Sequence, residues 1–405
     1  MKENKTKPDI RFKGFTEAWE QRKLREIAEF NPKSELPEEF EYVDLESVSG
    51  TEMISHRTEL KKSAPSRAQR LAKTGDVFYQ MVRPYQKNNY LFEKDDDNYV
   101  FSTGYAQMRP YIDSCFLMSF LQTDKFVKVV LDNCTGTSYP AINSNDLSNL
   151  KIDVPNKRME EVKIGEYFRS LDNLITLHQR ECDQLKELKK SMLKKMFPRD
   201  ESSIPEVRFA GFTDAWEQRK LGEVVEFYNG DRSSRYPTDS DIVPDGIPFI
   251  NAGDLVSGRV KLDTANKITK EKYNELSGAK IQRGDIIYCL RGTLGKNAFI
   301  DNFDSGTVAS SLVDIRPKKI VGKYLFQVLN SDIEYRQRTI NDEGAAQPNL
   351  SAKNLSLFDI PMSNKDEQTK IAEYFSNLDN LITLHQRELE ILKNLKKTCL
   401  KRMFI

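Results

Sequence analysis

The residue types that could do chemistry are thinly spread along this chain. Glu59-Leu60-Lys61, with Asp44 upstream, has the make-up of a nuclease site in which carboxylates hold a divalent cation. With 62 Lys and Arg beside 61 Asp and Glu, however, such triplets arise from composition alone. GTLGKN (292–297) carries the glycines and lysine of a phosphate-cradling loop, but it is too short and lacks the Lys-Ser/Thr ending. No Asn/Asp-Pro-Pro-Tyr/Phe tetrad of a methyltransferase occurs, and three histidines support no Ser/His/Asp relay. The five cysteines (Cys115, Cys134, Cys182, Cys289 and Cys399) are scattered without a Cys-x-x-Cys pair, so neither a disulfide framework nor a zinc site is supported. The expectation is a chain with no catalytic residue, no metal site and no cofactor of its own.

Composition bounds the remaining possibilities. A length of 405 residues fits two or three domains, each large enough to bury a core. Hydrophobic residues at 38% and charged residues at 30% suit a globular protein with a well-solvated surface. No run of 18 apolar residues exists, and MKENKTKPDIRF lacks the apolar stretch of a signal peptide, so a cytoplasmic protein without membrane contact is expected. The net charge of +1 announces no nucleic-acid partner; any such role must rest on local patches.

The elements that must position a site are arranged by an internal repeat. IRFKGFTEAWEQRKLREI (10–27) returns as VRFAGFTDAWEQRKLGEV (207–224), identical at 13 of 18 positions. EYFRSLDNLITLHQRE (166–181) returns as EYFSNLDNLITLHQRE (373–388), identical at 14 of 16. Between these blocks the match weakens but persists: TGDVFY (74–79) pairs with RGDIIY (283–288), Arg109-Pro110 with Arg316-Pro317, and Pro140–Leu147 with Pro348–Leu355. The offset grows by about ten residues through YNGDRSSRYPTDSDIVPDGIP (228–248), which reads as an enlarged surface loop. Each half therefore has a divergent middle of short strands and turns, with a few helices such as SFLQTDKFVKVVLDN (119–133), followed by a near-identical helix.

Those helices start after Pro155 and Pro361, the second with Ser363 as a cap and Asp366 three residues on. Apolar and seam residues fall at alternating spacings of three and four: Phe168, Leu171, Ile175, His178, Cys182 and Leu185, then Phe375, Leu378, Ile382, His385, Leu389 and Leu392. This is the period of a coiled-coil seam, the alternative being ordinary core helices of two similar domains. A flanking stripe (Leu174, Leu177, Leu188; Leu381, Leu384, Ile391, Leu395) widens the apolar face enough to meet a second partner. His178 and His385 read as polar register devices in the seam. A helix from Lys157 to Phe197 would be roughly 60 Å long at 1.5 Å per residue.

Two copies of (I/V)RF.GFT.AWEQRKL.E, two variable middles and two copies of EYF..LDNLITLHQRE resemble the specificity subunit of type I restriction-modification enzymes, close to those of Gram-positive bacteria. The likeness runs from about residue 10 to the end. It implies an α+β architecture: target recognition domains over 1–156 and 199–362, and conserved spacer helices over 157–198 and 363–405 packed as an antiparallel coiled coil. It further implies that each recognition domain reads one half of a bipartite double-stranded DNA target. The helices would dock methyltransferase subunits, two in number, with restriction motor and nuclease subunits beyond them. S-adenosylmethionine, ATP and magnesium would then sit on those partners. The alternative is a scaffold that bridges two identical proteins without reading DNA.

Reading bases in the major groove needs Arg or Lys for guanine and Asn or Gln for adenine, while phosphates need cationic and hydroxyl donors. The first half offers Arg67 and Arg70 in SRAQR, and Arg83, Gln86, Lys87 and Asn88 in QMVRPYQKNNY, besides NCTGTSYPAIN (133–143). The second offers Arg232 and Arg235 in DRSSRY, Arg291, Lys296 and Asn297 in LRGTLGKN, and Gln347 in EGAAQPNL. The clusters occupy equivalent repeat positions with different side chains, as two readers of different half-sites require. Basic runs near the helix ends, Cys182 to Arg199 and Lys393 to Arg402, either touch phosphate or complement the helix C-termini and solvate the spacer.

Overall fold

A computed structural model describes residues 7–136, 138–199, 202–342 and 348–405. The chain parts into two compact units: Met1–Arg180 with Gln386–Ile405, and Glu181–His385. The divisions fall inside the two long helices, Arg158–Lys195 and Lys365–Arg402, rather than at their ends. No helix among the described residues is long and apolar enough to cross a membrane.

In the first unit, one four-stranded sheet runs Arg57–Leu60, Glu39–Val43, Tyr99–Ser102, Ala68–Leu71, with Tyr99–Ser102 parallel to Glu39–Val43. A second runs Ala28–Phe30, Tyr105–Pro110, Val77–Gln80, Tyr90–Leu91, all antiparallel. Val77–Gln80 is buried at every residue, which explains why TGDVFY reads as an apolar run rather than an alternating one. The second unit repeats this plan with Val225–Asn229, Leu312–Pro317, Ile286–Cys289 and Asn297–Phe299. It also keeps a parallel pair, Ile247–Ile250 with Thr307–Val308. In each unit a short strand from the AWEQRKL block pairs with the strand just before a long helix: Glu20–Lys23 with Lys151–Val154, and Glu217–Lys220 with Asp359–Met362.

The short sequence matches between the halves turn out to be clamps. Arg109 makes two hydrogen bonds to buried Asp76, both 2.9 Å, and Arg316 makes the same pair to Asp285 at 3.0 and 2.8 Å. Each aspartate also accepts the backbone N–H three residues upstream, from Lys73 and Gln282, closing the turn before the central strand. Arg11 forks onto Glu160 and Arg208 onto Glu367, tying the start of each repeat to the first turns of the helix in its own unit. Trp216 donates its indole N–H to Glu367 as well, at 3.1 Å. Planar, bidentate charge-assisted bonds of this kind fix geometry as well as contributing energy.

Each core is finished by residues that follow a long helix. Phe404 lies 5.6 Å from the rings of Phe116, Phe120 and Phe168 in the first unit. Phe197 lies 5.7 Å from Tyr324 and stacks on Phe375 at 6.2 Å in the second. The backbone joins in. Asp9 and Ile10 donate to the Arg402 carbonyl, and Val207 donates to that of Lys195, so helix-end carbonyls that lack an intrahelical partner are satisfied.

Three local expectations are corrected. The single helix expected over 119–133 is two, Ser114–Leu121 and Asp124–Asp132, because Thr123 caps the second by accepting from the Phe126 N–H at 3.2 Å. The cap of the second long helix is Asn364, which accepts from the Glu367 N–H at 2.9 Å, and not Ser363. The loop expected over 228–248 contains structure: Ile242–Val243 pairs with Asn266–Ile268, and Asp239–Asp241 forms a turn of 3-10 helix.

The units differ at one framework position. Gln107 donates its amide to Asp76 at 2.7 Å in the first, whereas Asp314 occupies that place beside Asp285 in the second, buried, with neither oxygen hydrogen-bonded and one 3.5 Å from the Arg316 guanidinium. Burial, then the charge of Asp285, push Asp314 up to about 8, with Arg316 opposing. A carboxyl whose folded value lies above its unfolded one holds its proton more tightly when folded. Its contribution is therefore present at low pH and lost as pH rises toward 8. This group should remove about 3 kcal/mol of stability between pH 6 and pH 9, at about 1.4 kcal/mol per pH unit over the titrating range. Asp314→Asn supplies the N–H that Gln107 supplies and should flatten that loss in thermal unfolding; an equal fall in both proteins would refute the assignment.

Candidate nucleic-acid interface

In the first unit the central strand Val77–Gln80 leads into a tight turn. Arg83 is left-handed (φ 53), Pro84–Gln86 form a 3-10 turn, and Lys87 is left-handed again (φ 57). The segment around Pro140 lies alongside: Val82 bridges Ala141, and the Arg83 N–H donates to the Pro140 carbonyl at 2.8 Å. The second unit repeats this pairing. Arg291 bridges Asn349, and the Gly292 N–H donates to the Pro348 carbonyl at 3.2 Å. The matched segments Pro140–Leu147 and Pro348–Leu355 thus begin where each turn meets its neighbour.

Within the first turn most of the expected polar residues are committed to holding it. Lys87 donates to Asp124 at 2.5 Å and to the Gln122 carbonyl at 2.8 Å. Gln86 accepts from Gln80 at 3.0 Å, and Asn88 accepts from the Gly50 N–H at 2.8 Å. Arg83 differs. Its guanidinium lies 4.6 Å from the centre of the Tyr139 ring, which is 65% exposed. Arg67 is exposed on the loop before Ala68–Leu71, whereas Arg70 is half-buried, its Nε has no partner, and burial lowers its pKa.

In the second unit Arg291 is exposed and donates to the Asn349 side chain at 3.1 Å, and Lys296 is half-buried with its amine on the Ala252 carbonyl at 2.9 Å. Asn297 is corrected from a surface reader to a framework residue. It is buried, its amide donates to the carbonyls of Gly295 and Leu329, and it accepts from Asn330 at 2.8 Å. Arg232 and Arg235 are both exposed, and Arg232 donates to the Ser310 carbonyl at 3.1 Å. Gln347 lies outside the described residues.

Two side chains escaped the sequence reading. Tyr139 sits in a segment recognised only as Gly- and Thr-rich. Arg338, 5.2 Å from the exposed Tyr335 ring and bonded to buried Glu334 at 2.7 Å, lies in a helix that carries no repeat signal. The nuclease-like cluster resolves into surface ion pairs. Arg57 bridges Asp44 at 2.7 Å and Glu59 at 2.8 Å, and Lys61 meets Glu38 at 3.4 Å.

Along the helices, antiparallel pairing holds within each unit. In the first, Asp172 pairs with Lys396 and His178 with Glu388 at 3.3 Å; in the second, Lys189 pairs with Asp379 at 2.6 Å and His385 with Glu181 at 3.2 Å. Leu171 and Leu378 are buried, while Ile175, Leu185, Ile382 and Leu392 are half-buried. The flanking residues face outward: Leu174 and Leu177 are 43% and 49% exposed, and Leu381 and Leu384 are 44% and 49%. Leu174 and Leu381 therefore flank the seam rather than fill it.

Comparison with known proteins places this geometry. The specificity subunit of the type I restriction enzyme MjaVIII from Methanocaldococcus jannaschii is 25% identical over 337 residues, spanning 81% of this chain and 73% of that one. The HindI specificity subunit of Haemophilus influenzae is 29% identical over 143 residues, covering 34% of this chain and 30% of that one. The crystal structure of a type I restriction-modification S subunit from M. genitalium shares the fold, with a TM-score of 0.68 over 98% of this chain and 99% of that one at 15% identity. The profile of the type I restriction modification DNA specificity domain matches twice, over residues 16–187 and 213–394, and the chain belongs to that family.

Proposed function

We propose that this chain is the DNA sequence-specificity subunit of a type I restriction-modification complex and carries no catalytic site itself. Each unit reads one half of a bipartite duplex target, and the base pairs between the halves go unread. The observation that carries this reading is the contrast between what the units share and what they vary. The clamps Arg109–Asp76 and Arg316–Asp285 repeat, as do the backbone pairings of the turn. The side chains at that place do not: Val82-Arg83 in one unit corresponds to Arg291-Gly292 in the other. Two equal scaffolds with unlike displayed groups are suited to two unlike half-sites.

The exposed leucines beside each seam are the surfaces for methyltransferase subunits, two of them because the motif occurs twice. Methyl donor, ATP and magnesium chemistry, and base flipping, would belong to those subunits and to the motor and nuclease subunits.

Replacing residues 28–155 with those of a relative of different specificity should change one half of the methylated motif mapped in host DNA and leave the other half intact. An unchanged motif would return the chain to the scaffold reading. Leu381→Ser with Leu384→Ser should leave thermal unfolding nearly unchanged, since exposed positions typically contribute within about 0.5 kcal/mol, yet reduce co-purification of a methyltransferase subunit several-fold. Retention at the wild-type level would place docking elsewhere.

A further inference from the structure

Among the described residues, four other than glycine have a left-handed backbone: Asn31, Arg83, Lys87 and Ser257. Such a conformation is unfavourable for side chains with a Cβ, and when it persists at a displayed position the cause is local bonding or function. Three of the four are accounted for by a tolerated residue type, a hairpin turn or a side-chain ion pair. Asn31 is a tolerated type whose side chain bonds Ser144 at 2.6 Å and accepts from the Gln107 N–H at 3.0 Å. Ser257 precedes Gly258 in a two-residue hairpin turn joining Leu255–Val256 to Arg259–Val260. Lys87 is anchored on Asp124 and the Gln122 carbonyl. Arg83 is held only through its backbone, its N–H on Pro140 and its carbonyl accepting from the Gln86 N–H; its half-buried side chain has no carboxylate partner among the described residues, and the guanidinium rests on an exposed tyrosine ring.

The repeat supplies the comparison that makes this informative. The Arg83 N–H donates to Pro140 just as the Gly292 N–H donates to Pro348, so the two residues hold the same place in the turn. Gly292 also has positive φ, 79. The backbone at this place suits glycine, and the second unit has it. An arginine in the first adds only a strained conformation and a guanidinium, so the guanidinium is what the position presents.

Resting on the DNA-reading role argued above, we infer that Arg83 is the specificity-determining residue of the first unit and reads a guanine through its O6 and N7 edge in the major groove. The Tyr139 ring, with its centre 4.6 Å from the guanidinium carbon, restricts where that group can lie while leaving its N–H donors without a carboxylate partner among the described residues. A planar, pre-oriented fork matches the two guanine acceptors, while a phosphate contact would need only a flexible charge. Lys87, whose charge is already paired, is not an equivalent candidate.

The test uses the full complex in its host, with the chromosomal gene carrying Arg83→Lys or Arg83→Gly, methylated motifs mapped genome-wide, and thermal unfolding of the purified chains. The wild type should give a motif with a fixed G·C pair in one half. Both variants should relax that pair, losing roughly tenfold to a hundredfold of its preference, and leave the other half unchanged. Arg83→Gly should unfold at a temperature no lower than wild type, since glycine accepts this backbone without strain. An unchanged G·C preference in either variant overturns the inference. Retention in Arg83→Lys alone identifies a phosphate anchor, and equal loss in both halves identifies an assembly role. If the wild type itself gives no two-part motif, the DNA-reading role fails rather than the assignment of Arg83.

Discussion

The structure depends on two aromatic plugs. Phe404 enters the first core and Phe197 the second, each carried in at the end of a long helix that starts in the other unit. Neither sheet system closes its core with residues from its own recognition segment alone. Truncating a buried phenylalanine typically costs about 3–5 kcal/mol, a large share of the 5–15 kcal/mol that holds a folded domain together. The near-identity of the two helices follows from this. Each must pair with its twin along one face, plug a core at its end and display leucines on its flank, which leaves few positions free to vary.

Around those plugs the units separate holding from displaying. Holding is done by buried, bidentate Arg–carboxylate pairs, and burial raises the cost of losing either partner because the other charge would be stranded. Display is done by turns that run off the central strand, where backbone pairing sets the shape and side chains are free to differ. The Gln107/Asp314 exchange lies on the holding side. There an amide that donates to the clamp aspartate is exchanged for a buried carboxyl beside it, whose pKa burial and the neighbouring charge push upward.

Much of this was legible in the sequence. The repeat, the helix period and the variable middles gave the architecture, because a helix that buries one face over ten turns leaves a strong periodic signal. TGDVFY/RGDIIY and the Arg-Pro matches were visible as similarities but not as partners, since Asp76 and Arg109 meet only through strand pairing. Asn297 looked like a surface reader because its neighbours are Gly, Thr and Lys; its burial is decided by Leu329 and Asn330, from a distant helix end. Thr123 was overlooked as a helix start inside a continuous apolar pattern, and Asn364 lost to the adjacent serine. Arg83 was picked out by type alone. Its strained backbone and its tyrosine platform are properties of the folded turn, and no spacing in the sequence encodes them.

The hydrogen bonds from Asp9 and Ile10 to the Arg402 carbonyl join the start of the first repeat to the end of the second long helix within one unit. The start of the first repeat and the end of the second long helix therefore cap one another within a single core, so these two sequence-distant stretches open together, as one cooperative block of amide hydrogen exchange.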